Sequence, residues 1–74
     1  MSKLYFSKDV EHVLKKLNFF LISQKGSHGK YKNPSGRIVI LPMNRKEIPY
    51  GTFKSILRQI GISFAEFQKI LEGK

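Results

Sequence analysis

The sequence predicts a small α+β domain in the order α-β-β-β-α(-α), a three-stranded antiparallel sheet with its helices on one face. Three observations carry this prediction. Residues 8–17 and 50–61 place apolar side chains at helical spacing, three short runs rich in branched and aromatic residues lie between them, and turn-forming residues separate the runs. The 74-residue chain, 1–74, reads as one domain, because a chain of this size buries only about 60% of its unfolded surface and supports a single core.

The first helix is predicted over Lys8 to Leu17, with Ser7 as its N-cap. Asp9 and Glu11 lie near its start and Lys15 and Lys16 near its end, as the helix dipole favours. Val10, Val13, Leu14 and Leu17 make one apolar stripe. His12 lies nearly opposite that stripe and is expected to face solvent. Asn18 suits the left-handed position that ends a helix.

Phe19 to Gln24 is too short for another helix and reads as the first strand. Lys25-Gly26-Ser27 reverses the chain, and a second strand follows over His28 to Asn33. Alternation puts His28, Lys30 and Lys32 on one face and Gly29, Tyr31 and Asn33 on the other, so an inward Tyr31 turns the histidine outward. Asn33-Pro34-Ser35-Gly36 is a turn signal, and the third strand runs from Arg37 to Leu41, ended by Pro42.

After a loop over Met43 to Pro49, Phe53, Ile56, Leu57 and Ile60 repeat the helical stripe in a second helix. That helix exposes Lys54 and Arg58, and Gly61 stops it. Ser63 and Glu66 form a capping box for a third helix, with Ile62 and Phe67 placed as a hydrophobic staple. Phe64, Phe67 and Leu71 carry that helix onto the body. The order leaves the second face of the sheet, with His28 on it, open to solvent or a ligand.

Fourteen Lys and Arg against five Asp and Glu give a net charge of +9, a large positive field for so small a body. Such a field favours polyanionic partners, nucleic acid first, and an acidic protein is equally compatible. There is no cysteine, and two histidines with five acids show no metal-ligand spacing, so neither a metal nor any other cofactor is expected. No apolar run of about 18 residues is present, and Met1 to Phe6 is too short for a signal peptide. The expectation is a cytoplasmic protein with no membrane partner.

The stretch Gly26-Ser27-His28-Gly29-Lys30-Tyr31 holds the one histidine in a setting where chemistry is plausible. Imidazole titrates near neutrality, and Lys25, Lys30 and Lys32 lie around it in sequence, where they would attract phosphate. Most lone histidines on strands are merely solvated or hydrogen-bonded, so this stretch gains weight only from its context.

That context is a resemblance over nearly the whole chain. Gly26-Ser27-His28 with Lys30-Tyr31, then Pro42, Glu47-Ile48-Pro49, Gly51-Thr52 and Arg58-Gln59-Ile60-Gly61-Ile62-Ser63 follow in one order. In these landmarks the chain resembles the HicA family of bacterial toxins, messenger-RNA interferases with a fold like the double-stranded-RNA-binding domain. The resemblance implies an endoribonuclease of a type II toxin-antitoxin system, with the histidine of the Gly-Ser-His motif, here His28, as the catalytic residue. It also implies a HicB-like antitoxin that covers the face carrying His28. Many members have a second histidine within two residues of the proline of the third strand, whereas this chain reads Pro42-Met43-Asn44. Either that histidine is dispensable or activity here is reduced.

RNA carries its own nucleophile in the 2′-hydroxyl, so cleavage needs a base, a cationic environment for the phosphorane and a bent backbone, but no metal. His28 is the expected base and Lys30 or Lys32 the charge stabiliser, while no residue is identifiable as the general acid. Lys25, Ser27, Lys30, Lys32, Arg37, Lys54 and Arg58 are the expected RNA contacts. Two alternatives use the same residues without catalysis: an RNA-binding module, and a decayed toxin that retains only partner binding.

Overall fold

In the computed structural model, which describes residues 4–44 and 46–73, α1 spans Ser7–Lys16, β1 Phe20–Lys25, β2 His28–Lys32, β3 Ile38–Pro42, α2 Tyr50–Ile60 and α3 Phe64–Gly73. Met1, Ser2 and Lys3 of the opening stretch, and Arg45 of the loop before α2, lie outside those residues. The strands form one antiparallel sheet in the order β1-β2-β3, so the α+β architecture and its element order are those the sequence predicts.

The sheet has one covered and one open face. Tyr31, Val39 and Leu41 are buried against Val10, Val13 and Leu14 of α1 and Phe53 and Ile56 of α2, whereas Lys30, Lys32 and Ile40 remain exposed. Each fully buried aliphatic or aromatic side chain contributes about 1.5–3 kcal/mol through the water it sheds. The rings of Tyr5, Phe53 and Phe67 stack or meet edge-on with centroids 5.0–5.1 Å apart, which fastens α3 and the segment before α1 to α2. Phe64, by contrast, stays half-exposed at the rim of this cluster.

α1 begins one residue earlier than expected, and Ser7 is not its cap. Phe6 holds the N-cap position, and its backbone N–H donates to Asp9 Oδ2 at 2.9 Å. Ser7 is buried, and its hydroxyl donates to the Pro42 carbonyl at 2.6 Å. A part-buried carbonyl at a strand end is satisfied by a donor, and a contact 35 residues away in sequence outcompetes the local cap. His12 departs from expectation as well. It is half-buried, and its Nε2 is shielded from water with no hydrogen-bond partner among the described residues.

Strand ends also shift by a residue. Pro42 stays inside the sheet, pairing with His28 at its end, where a missing N–H costs little. Asn18 takes the left-handed conformation (φ 66°), as expected of a residue ending a helix. Gly61 ends α2 at φ 90° with its N–H on the Leu57 carbonyl at 2.8 Å. The capping box of α3 is complete: Ser63 N–H donates to Glu66 Oε1 at 2.9 Å, and Glu66 N–H to Ser63 Oγ at 3.1 Å.

Candidate active site

β1 and β2 are joined by the two-residue turn Gly26-Ser27, which sets Lys25 directly opposite His28. Gly26 has φ +58° while Ser27 does not enter the positive region, the pattern of a II′ hairpin turn, whose first position favours glycine. His28 is therefore the first residue of β2, flanked by Lys25 on β1 and Pro42 on β3. The Met43 N–H donates to the Ser27 carbonyl at 2.7 Å, so the chain leaving β3 braces the turn.

Strand alternation then decides what surrounds the imidazole. His28, Lys30 and Lys32 share the open face, while Gly29 and Tyr31 point to the core. A shallow concavity of about 430 Å³ lies over this end of the sheet, lined by Ser23, Gln24, Lys25, His28, Gly29, Lys30 and Ile40. Among the described residues no hydrogen bond engages the His28 ring, so both nitrogens are free for a substrate. No Asp or Glu occurs between Glu11 and Glu47, and the whole sheet is without an acid. An anion over this face meets cations and no like charge.

Of the residues expected to contact RNA, the structure brings Lys25 and Lys30 together with His28 around one concavity. Lys32 lies farther along the same face, opposite Phe20 and Ile38. Ser27 sits in the turn itself. Arg37 is elsewhere: its guanidinium donates to the Gln59 carbonyl at 3.1 Å and covers Gly61, closing the C-terminal end of α2. Lys54 and Arg58 line a separate groove of about 270 Å³ between α2 and α3, where the Lys54 ammonium stands 5.6 Å from the Tyr50 ring centroid.

Sequence reading missed Ser23, Gln24, Gly29 and Ile40 as walls of the concavity. Ser23 was accessible to it, because a two-residue hairpin fixes the Ser23–Lys30 pairing by counting back from the turn. Beyond that pair a bulge at Ile22 shifts the register, so that Leu21 rather than Phe20 shares a face with Tyr31. Nothing in the sequence signals that bulge.

Gly29 is the close approach in this region. A Cβ there would stand 2.8 Å from Met43 Sδ and 3.0 Å from Leu21 Cδ1, which shows that the Met43 side chain lies against the inner face of β2. His12 belongs to α1, on the covered side of the sheet. The described residues therefore offer one imidazole at this site, and no three His, Asp or Glu side chains converge among them.

No helix among the described residues is long and apolar enough to cross a membrane. The comparison with curated proteins returned no match. Residues 7–62, from the start of α1 to just past α2, match the model of the family described as the HicA toxin of bacterial toxin-antitoxin, with α3 beyond the matched span. The hairpin that presents His28 and the sheet that carries its lysines lie wholly inside that match, and the chain belongs to the HicA toxin family.

Proposed function

We propose that this toxin is an endoribonuclease that cuts messenger RNA on the open sheet face, with His28 as general base. The reading rests on one observation above the others: an unengaged imidazole at a strand end, in a concavity shared with Lys25 and Lys30, on a sheet that has no acid. Neutral His28 takes the proton of the 2′-hydroxyl. The 2′-oxygen then attacks the adjacent phosphorus, the bond to the 5′-oxygen breaks, and the leaving oxygen takes a proton from solvent.

Lys30 and Lys25 stabilise the charge that gathers on the phosphorane oxygens, and Lys32 holds the strand farther along the face. One base of this kind is worth about 10²–10⁴-fold, so turnover is slow. Slow cleavage is sufficient for a toxin held in check by a partner. That partner is a HicB-like antitoxin, acidic where it docks, which covers His28; the protein works in the cytoplasm and uses no cofactor.

The test is cleavage of a defined messenger in chelator. Fragments ending in a 2′,3′-cyclic phosphate, with 5′-hydroxyl partners, are expected because the nucleophile belongs to the RNA. Activity that disappears in chelator and returns with a divalent ion contradicts the reading.

A further inference from the structure

The two edges of the sheet are treated differently. On β3 the outward Ile40 N–H is taken by Gln59 Oε1 of α2 at 2.8 Å, and Arg37 ties the same turn of α2 to the strand. Among the described residues nothing pairs with the outer edge of β1, and all six of its side chains are exposed. Three of them are consecutive and large: Phe20, Leu21 and Ile22 are 57%, 45% and 53% exposed. An edge strand presents a row of unpaired N–H and C=O groups, and soluble proteins normally blunt such a row or cover it.

We infer that the outer edge of β1 is a docking edge for an extended, acid-bearing strand of a protein partner, which adds to the sheet as a fourth strand beside β1, one strand removed from His28. This rests on the antitoxin reading above for the partner's identity. The chemistry of the edge selects a protein strand over RNA, since only a backbone can satisfy a ladder of amide donors and acceptors while burying three adjacent apolar side chains. Charge selects a different protein over a second copy of this chain. The sheet carries Lys25, Lys30 and Lys32 with no acid, so another copy would bring the same cations, whereas an acidic strand is complementary.

The position of the edge connects docking to inhibition. β1 ends at Lys25, which is paired with His28, and Ser23 and Lys25 form one wall of the concavity. Carboxylates on a strand added here reach Lys25 and take the place of the RNA phosphate. The bulge at Ile22 bends the edge and restricts the added ladder to a short segment on either side, which favours one fitted strand over indefinite stacking.

The experiment compares amide exchange in the free protein and in the purified complex with its co-expressed antitoxin. Exchange in Phe20 to Lys25 is expected to slow by at least about tenfold in the complex, with Phe20→Glu/Ile22→Glu weakening the complex by about 100-fold. The milder Phe20→Thr/Ile22→Thr, which keeps strand propensity, weakens it in the same direction, and equal melting temperatures of the free variants exclude misfolding. RNA cleavage by the free, uncharged Phe20→Thr/Ile22→Thr variant is unchanged.

Three results overturn the inference: a complex with no change at β1, for instance with protection confined to the α2–α3 groove; a concentration-dependent dimer of the free chain that protects β1; or protection of β1 amides by a single-stranded oligonucleotide. Because the readout is binding, a chain that protects β1 in the complex but fails to cut RNA upholds this inference and contradicts only the catalytic reading. A chain that cuts RNA but forms its complex without touching β1 contradicts this inference and leaves the catalytic reading standing.

Discussion

The Tyr31 hydroxyl donates to Glu11 Oε2 at 2.7 Å, tying the middle of β2 to α1 from the covered side of the sheet. Three residues earlier on the same strand His28 faces the other way, so this bond positions the strand that carries His28 without touching the open face. Burial, and then the bond to Glu11 and its negative charge, push the Tyr31 hydroxyl well above the ordinary tyrosine range.

Tyr31→Phe therefore removes a hydrogen bond to a charged acceptor and is expected to cost about 1.5–3 kcal/mol, while Tyr31→Ala, which also opens a cavity, costs about 3–5 kcal/mol. The pH dependence has a definite sign. A pKa raised in the folded state gives stability that is whole below the unfolded value of about 10 and is lost as pH rises toward the folded one. Denaturant midpoints measured up the alkaline range should fall for wild type and stay flatter for Tyr31→Phe. Equal slopes for the two proteins contradict the assignment.

RNA affinity should weaken with salt in proportion to the lysines on the open face. Each phosphate contact with a single strand contributes about −0.7 to the slope of log affinity against log salt, so Lys25, Lys30 and Lys32 together give about −2. Removing any one of them flattens the slope by about 0.7. Lys54→Ala and Arg58→Ala, in the α2–α3 groove, leave it unchanged; a loss there equal to that at Lys30 means that RNA extends round to α2.

Gly61→Ala is expected to cost about 1–2 kcal/mol, because a non-glycine residue resists the left-handed conformation at φ 90°. The added methyl would also stand 3.2 Å from Arg37 Nη1 and displace the guanidinium that closes α2. For a domain of this size that is a fall in Tm of about 5–15 °C, with cleavage retained at temperatures where the protein is folded. An unchanged Tm contradicts the strain argument.

Local signals were legible where local chemistry decides. Gly26, Asn18, Gly61 and the Ser63–Glu66 box all do what their residue types suggest, because a turn or cap is settled by a few neighbouring residues. Alternation put His28 and Tyr31 on opposite faces, and with Tyr31 buried the histidine is outward, as that condition required. What failed depends on distant partners. Ser7 abandons its cap for the Pro42 carbonyl, His12 is half-buried with its Nε2 shielded from water, and the bond from Arg37 to the Gln59 carbonyl 22 residues away has no local signal. Lys54 and Arg58 are exposed as expected, but which groove they line is a tertiary fact.

The most direct test of the account is RNA cleavage by His28→Ala beside wild type. His28 is exposed and unengaged among the described residues, so the variant should keep its Tm and most of its RNA affinity while cleavage falls by about 10²-fold or more. A variant that folds, binds RNA and cuts it as fast as wild type contradicts the assignment of His28 as the base.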